Sequence, residues 1–492
     1  MRMLWALLLV PLGMSGVLWI LPKAAAKAAA TIGALAEVAV WAAVLVRAPH
    51  RLALVWNWIP EWGIRFHLGV DGLSLFLLGL SAVLTWAAVF VSPAERGRTY
   101  FFWLLLLEFA TMGLFLALNL FVFYLFWEAI LIPIFFLLSA APRPQARAAA
   151  LKWLIMNLVG SLFMLVGIVA VAVIHAEVTG RYTFEIAALA GTPWPAGSVG
   201  WLLTAFLIAF AIKAPLWPLH GWMPEAYSEA PAPVTALLAG VLSKAGIFGL
   251  LRVLLPLFGP ALVPLRMGLL VWAAVDLVYG ALVALRQKDT KLVAAYASMS
   301  HLGMIALGVF SLTRAGILGA TFQMVAHGLM VGGLFILLGW LEEATGTREL
   351  GRLGGLSRHL PRLAAYFQFF ALAVLGLPGL PGFVGEYLIV QGLVAGAVGF
   401  AVVAVIVLVV AAWYMLRLFQ GTMQGPPPTA PAPGRDLGPR QLAFVLPMAG
   451  LILLLGVWPA SITSRAAPTL YRAVGLVGHA AVGTGIGKGG MR

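Results

Sequence analysis

Cysteine is absent from all 492 residues, so disulfides, thiolate catalysis and cysteine-held iron–sulfur clusters are excluded from this chain. Any electrons that matter to its work must move elsewhere. Charge is scarce as well. The 31 basic and 17 acidic residues amount to 10%, against roughly 25% in an ordinary soluble domain. With 62% hydrophobic residues, a water-soluble globule is excluded, and so is disorder, which requires low hydrophobicity and high charge. The apolar runs are continuous and do not alternate with polar residues, which argues against a porin-type barrel. What remains is an all-α polytopic membrane protein whose first partner is the lipid bilayer. The net charge of +14 does not point to nucleic acid, because the basic residues sit in short loops between apolar runs, where they set orientation.

One helical crossing needs about 20 apolar residues, and about fourteen such blocks are read along the chain. They lie near 2–20, 28–47, 70–92, 100–118, 120–140, 149–174, 200–220, 231–254, 261–285, 291–312, 315–341, 363–395, 397–419 and 440–461. The first block, flanked by Arg2 and Lys23, has the look of a secretory leader and is read as a retained first span. An even number of spans places both termini on one side. The opposite side collects most of the loop cations, among them Lys23, Lys27, Arg96, Arg143, Arg147, Lys152, Arg348 and Arg440. Both termini are therefore expected on the outer face of a bacterial plasma membrane.

Two apolar blocks are interrupted by proline. Ile212-Lys-Ala-Pro215-Leu-Trp-Pro218-Leu-His220 and Gly376-Leu-Pro378-Gly-Leu-Pro381-Gly share a Pro-x-x-Pro core, 163 residues apart from Pro215 to Pro378. Each proline removes an intrahelical hydrogen bond, and in lipid the freed carbonyls need partners, so such helices belong inside the protein or along a wet cavity. Paired interrupted spans are the sequence pointer to an internally repeated transporter. The expected organisation is amino-terminal helices over 1–99, a first repeat over 100–254, and a second over 261–419. A loop, the last span and a carboxy-terminal tail fill 420–492.

Charge inside these spans is costly and marks an ion path. Glu128, Lys213, Lys244 and Glu386 interrupt apolar runs, His220 follows the first break, and His301 and His327 lie within later spans. Glu108 is a further intramembrane carboxylate. Burial disfavours the charged form of each group and a nearby opposite charge restores it, so protonation at one site responds to its neighbours. Histidine titrates near neutrality. Such a series suits proton hopping, whereas lysine is a poor structural metal ligand. Plainer readings stand beside this one. Glu128 and Lys213 can be read as a structural ion pair, and His301 and His327 as hydrogen-bonded packing residues. Trp56, Trp58 and Trp62 between spans read as an interfacial belt.

The run Lys213-Ala-Pro-Leu-Trp-Pro-Leu-His220-Gly-Trp-Met-Pro224-Glu-Ala-Tyr-Ser-Glu229-Ala-Pro231 resembles the signature of the antiporter-like proton-pumping subunits of respiratory complex I. So does its continuation from Leu237 through Lys244 to Arg252. Phe126-Trp-Glu128 with Pro133 resembles that family's acidic span, and Asp289-Thr-Lys291 through Tyr296 to His301 its counterpart in the second repeat. The resemblance covers residues 70–460. It implies about fourteen transmembrane helices with two inverted five-helix repeats, each containing a broken helix.

By the same resemblance Glu128 is the acid that pairs with the broken-helix lysine, Lys213 that lysine, and Lys244 the central relay. His301 and His327 link the centre to the second half, and His220 remains available. Glu386 is the terminal titrating group, and glutamate rather than lysine there is the mark of the M-type branch. The implied function is proton translocation in an NADH–quinone oxidoreductase, with no cofactor and no redox centre in this chain. The implied partners are the other membrane-arm subunits, especially the paralogous antiporter-like ones. A subunit of a multisubunit Na⁺/H⁺ antiporter is the alternative, and an inert membrane scaffold a third reading. Beyond Ala460 nothing is expected to form the long lateral carboxy-terminal helix of the L-type branch. Two positions depart from the family pattern. Tyr227 stands where histidine is frequent, and Asn119, where an acid is common, is taken to affect only a secondary surface charge.

Overall fold

The computed structural model describes residues 2–47, 52–426 and 434–483, with side chains through Arg472. The end of the tail assigned above to 420–492 lies outside the described residues. Helices α1 (Arg2–Ile20), α2 (Ala26–Arg47), α3 (Ser74–Val91) and α4 (Gly97–Leu116) form the amino-terminal part. Between α2 and α3 the all-α expectation meets an exception, an antiparallel hairpin of β1 (Leu52–Ile59) and β2 (Ile64–Val70) with Leu52 opposite Val70. Its strands are rich in aromatic and branched residues, which suit a pleated surface. Gly63 at its turn has a φ of +65°, which glycine adopts without penalty. Trp56 and Trp62 are exposed on it.

The run after α4 is α5 (Leu120–Ala129) and α6 (Leu131–Ser139), separated at Ile130 just ahead of Pro133. It is followed by α7 (Ala146–Thr179), α8 (Ile186–Leu189) and α9 (Ala196–Lys213), which ends on Lys213 at the first proline break. After the break come α10 (Met223–Glu229), α11 (Ala232–Leu237), α12 (Ser243–Gly249) and α13 (Leu255–Arg286). Two π-helical turns, Leu238–Leu242 and Leu250–Leu254, flank α12. Such turns are rare and are frequent at functional sites. Then follow α14 (Thr290–Phe310) and α15 (Arg314–Thr345), with α16 (Pro361–Val374) and α17 (Pro381–Val394) on either side of the second break, and α18 (Val398–Met423), α19 (Pro439–Val457) and α20 (Ala460–Gly483).

Among the described residues, 12 helices are long and apolar enough to cross a membrane. Two local features separate this number from fourteen. The blocks read as 231–254 and 261–285 are one helical run, Ala232–Arg286. At 1.5 Å per residue that run would be about 80 Å long if straight, and it kinks where Phe258 leaves helical geometry (φ −128°). The block read as 363–395 is split by its prolines into α16 and α17, each of 14 residues.

The carboxy-terminal tail carries one further element. Residues beyond Ala460 do form a helix, α20, of 24 residues. Ile462, Ala466 and Leu470 recur at every fourth position and are buried, so a single apolar stripe seats it on the bundle. Thr469 Oγ1 accepts a hydrogen bond from the Gly72 amide at 3.2 Å, tying α20 to the start of α3.

Asn119 also needs correction, for it is fully buried. Its side chain accepts from the amides of Phe121 (3.0 Å) and Val122 (3.4 Å) and donates to Glu185 Oε1 (3.1 Å). It is the N-cap of α5, satisfying amides that the first helical turn leaves free. Asp289 does the same for α14, accepting from Lys291 (2.8 Å) and Leu292 (3.1 Å). Each cap also bridges to a glutamate downstream, Asn119 to Glu185 and Asp289 to Glu349.

Candidate functional site: a buried lysine–histidine–glutamate line

Lys244 is fully buried on α12. Its Nζ lies 2.9 Å from His327 Nδ1 on α15 and donates to the Ala239 carbonyl and to Ser243 Oγ (3.2 Å). Two glycines allow this approach. A Cβ at Gly328 would lie 2.5 Å from the Gly240 carbonyl oxygen, and one at Gly240 would lie 3.0 Å from that of Gly328. Small residues let membrane helices pack backbone to backbone. Here the close approach brings the lysine-bearing run and the histidine-bearing helix within hydrogen-bond reach. Gly328→Ala is therefore expected to force the two helices apart, at about 1–3 kcal/mol for overpacking. Transport should fall severalfold in assembled protein, measured as proton flux in membrane vesicles.

From His327 the line continues to α14. The His301 and His327 rings have centroids 5.2 Å apart. His301 Nδ1 is 3.4 Å from Glu386 Oε1 on α17, and both side chains are buried. Gln323 Nε2 approaches the same oxygen at 3.5 Å. Glu386 lies against the second break, because a Cβ at Gly376 would fall 2.2 Å from its Oε2. Gly376 itself has a φ of +79°. The proline-interrupted segment thus gives the carboxylate room that any larger residue would fill.

The first half is arranged differently. Lys213 is buried and, among the described residues, its Nζ has no hydrogen-bond partner. It faces two indole rings, those of Trp127 at 5.0 Å and Trp153 at 5.5 Å, a cation–π setting. Glu128 is half-buried, with Oε1 unpartnered. Among the described residues no ion pair joins Glu128 to Lys213, so the pairing expected from the sequence is not present in this conformation. His220 is buried with Nδ1 unpartnered, its ring 5.2 Å from that of Tyr279. Lys213 and Lys244 are brought near through backbone. A Cβ at Gly246, two residues past Lys244, would meet the Ala214 amide nitrogen at 2.6 Å.

The remaining motif residues hold loops. Arg143 and Arg348 both donate to the Ser228 carbonyl, and Lys291 Nζ donates to that of Ala230 at 2.9 Å. The Glu229-Ala-Pro231 segment is thereby pinned by cations from both halves. Arg143 further pairs with Glu342 (2.6 Å) and Arg348 with Asp289 (3.1 Å). A cavity of about 320 Å³ opens beside them, lined in part by Arg96, Arg143, Lys291 and Glu342. Tyr227 is buried, and its hydroxyl donates to the Leu238 carbonyl at 3.2 Å, at the start of the first π-helical turn. Glu108 is buried with both carboxylate oxygens unpartnered.

Three groups escaped the sequence reading. Gln323 stands four residues before His327 and so shares its helix face, a spacing that was available as a signal. Glu37 on α2 and Asp276 on α13, both fully buried, carry the same intramembrane-charge signal as Glu108. Among the described residues, no group of three or more His, Asp or Glu side chains is placed to hold a metal ion.

Residues 117–411 match the family described as NADH:quinone oxidoreductase/Mrp antiporter, TM. The chain belongs to this family. Among its relatives, NADH-quinone oxidoreductase subunit M of Escherichia coli (strain K12) is 38% identical over 420 residues, 82% of each chain. Subunit M of Rickettsia prowazekii (strain Madrid E) is 36% identical over 412 residues, 83% of each. A chain of respiratory complex I from Thermus thermophilus with bound NADH superposes with a TM-score of 0.89 at 33% identity, covering 96% of this chain and 99% of that one. A chain of the Mrp complex from Dietzia sp. DQ12-45-1b gives 0.86 at 25% identity, covering 96% and 98%. Within the NADH:quinone oxidoreductase/Mrp antiporter family, then, the buried line from Lys244 to Glu386 sits in a multi-pass membrane protein of the helical kind expected from composition.

Proposed function

We propose that this chain is the M-type proton-translocating membrane subunit of a bacterial NADH–quinone oxidoreductase, with other membrane-arm subunits as its partners. It crosses the membrane fourteen times. The kinked run Ala232–Arg286 makes two passes, and α16 with α17 makes one. Two five-helix repeats are inverted with respect to each other. The matching caps support this, because Asn119 lies at the hairpin end beside Glu185 and His67, and Asp289 at the opposite, cationic end beside Arg348.

The observation that carries the reading is the direct succession Lys244–His327–His301–Glu386 through the buried interior. A proton on Lys244 passes to His327, then to His301, and leaves through Glu386. Lys213 is the switch on the other side. At an effective dielectric of about 20, moving a unit charge to within 4 Å is worth roughly 4 kcal/mol, a factor of about 10³ in a protonation equilibrium. When the Glu128 side chain swings toward Lys213, it holds the proton there. When it swings away, the proton goes to Lys244 through water. No redox centre belongs to this chain, and both termini face the outer side of the plasma membrane.

The likeness to the Mrp complex chain favours a second reading, a subunit of a Na⁺/H⁺ antiporter. Purification through a tag on this chain separates the two. Recovery of NADH-oxidising, iron–sulfur subunits and NADH-driven acidification in vesicles is the expected result. Recovery of small hydrophobic antiporter chains alone, with Na⁺-driven proton exchange, would replace it with the second reading.

A further inference from the structure

The segment after Lys213 is not left to lipid or to chance. Both backbone polar groups of Trp217, between the two prolines of the first break, are held by side chains of α13. The Trp217 amide donates to Asp276 Oδ1 at 2.7 Å, and the Trp272 indole N–H donates to the Trp217 carbonyl. Tyr279 places its ring 5.2 Å from that of His220. Residues 272, 276 and 279 follow the spacing of one helix face, so α13 presents a cradle to the broken segment from Trp217 to His220.

Asp276 is the member of that face with no structural need to be ionisable. It is fully buried, and its second oxygen, Oδ2, has no hydrogen-bond partner among the described residues. That oxygen faces α14. A Cβ at Gly303 would lie 2.9 Å from it and 2.5 Å from the Leu277 amide nitrogen. The same contact is fastened by Ser300 Oγ donating to the Leu277 carbonyl at 2.8 Å, and by Gly280, where a Cβ would meet the Ser300 amide nitrogen at 2.6 Å. Ser300 and Gly303 bracket His301. A single carboxylate therefore bridges the break that follows Lys213 and the turn of α14 that carries His301. The second break has its own buried carboxylate, Glu386 against Gly376. Both interrupted segments are thus backed by an acid.

We propose that Asp276 is a positioning residue that clamps the broken segment of the first half onto α13 and couples it to the histidine turn of α14. It acts through the Trp217 amide and the α13–α14 contact and carries no proton itself. Displacement of the Lys213 end is passed by this clamp to His301, so that the two halves change together. The inference rests on the proton-translocation reading above.

The test uses the intact complex in membrane vesicles and measures protons moved per NADH oxidised, normalised to assembled complex. Asp276→Leu, which removes the acceptor, is expected to lower that ratio at least threefold. Asp276→Asn, which retains an acceptor oxygen for the Trp217 amide, is expected to restore it to near the parent value. A parent-like ratio in Asp276→Leu overturns the proposal. So does an equal loss in both variants, which would make the ionised or protonated carboxyl itself the working group. If Asp276→Leu does not assemble, Trp272→Phe takes its place, because it releases the Trp217 carbonyl while keeping an aromatic ring. A drop of about twofold supports the clamp and an unchanged ratio overturns it. Lys244→Ala in the same vesicles is the control. If it pumps normally the translocation reading fails, whereas if it is silent and Asp276→Leu is normal, only the clamp fails.

Discussion

Replacing Lys244 by alanine should lower proton transport by roughly 10²-fold, the scale on which a positioned proton-transfer group contributes. Lys244 is the one group in the line with a direct hydrogen-bond contact to His327 from the first-half side, at 2.9 Å. Without it, the line from His327 to Glu386 loses the lysine that contacts it from the first half. Lys244→Arg sharpens the expectation. Arginine keeps the charge but does not give up its proton in a protein, so it should be as defective as alanine. A scaffold that merely needs a buried cation would tolerate it. The measurement is NADH-driven acidification in vesicles, with the quantity of assembled complex read from the iron–sulfur subunits retained in the membrane. Near-normal pumping in Lys244→Arg would show that a fixed positive charge suffices and that no proton passes through this site.

The parts of this architecture that were legible in the sequence are those governed by the solvent. A bilayer allows only internally hydrogen-bonded spans and penalises isolated charge, so continuous apolar runs and their interruptions mark helices and candidate sites without knowledge of packing. Lys244, His301, His327 and Glu386 were found that way. What spacing along the chain cannot supply is which side chains meet across helices. Lys244 and His327 are 83 positions apart and touch because Gly240 and Gly328 allow it. Glu128 and Lys213, paired by family resemblance, lie in this conformation without a joining contact. The hairpin at 52–70 and α20 escaped for a related reason. Both are amphipathic elements with only one apolar face, so the continuous hydrophobic signal that identifies spans is weak in them. Asp276 carried the right signal and no motif around it, and only the contact with Trp217 gives it a role.

Arg252, the last residue of the run resembling the family signature, leads to the other large effect. It sits in the second π-helical turn and makes a two-pronged contact with Asp71, Nη1 to Oδ2 at 2.7 Å and Nη2 to Oδ1 at 2.8 Å. Both side chains are largely shielded from solvent. Asp71 Oδ1 also accepts from the amides of Leu73 and Ser74, each at 3.1 Å, at the entry to α3. Burial alone would push the Asp71 carboxyl up. The Arg252 charge, its hydrogen bonds and the amides of Ser74 and Leu73 outweigh that and hold it down at about 2. The folded value lies below the unfolded one of about 3.9, so the stabilisation, on the order of 2 kcal/mol, is fully present above pH 4. It is lost as pH falls from about 4 to about 2. Arg252→Ala removes the partner and leaves a buried carboxylate, at about 3 kcal/mol. The temperature of irreversible activity loss should fall in membranes at neutral pH, and the deficit relative to the parent should shrink as pH falls from about 4 to about 2, because the parent loses the Asp71 contribution there and the variant no longer has it to lose. Asp71→Asn should cost less, because the amide oxygen still caps α3. Combining the two substitutions should recover part of the loss, since the unpaired charge is then gone. Additive losses in the double variant would mean that the pair contributes nothing through its contact. The anchoring of the Lys244 run to α3 would then have to come from packing alone.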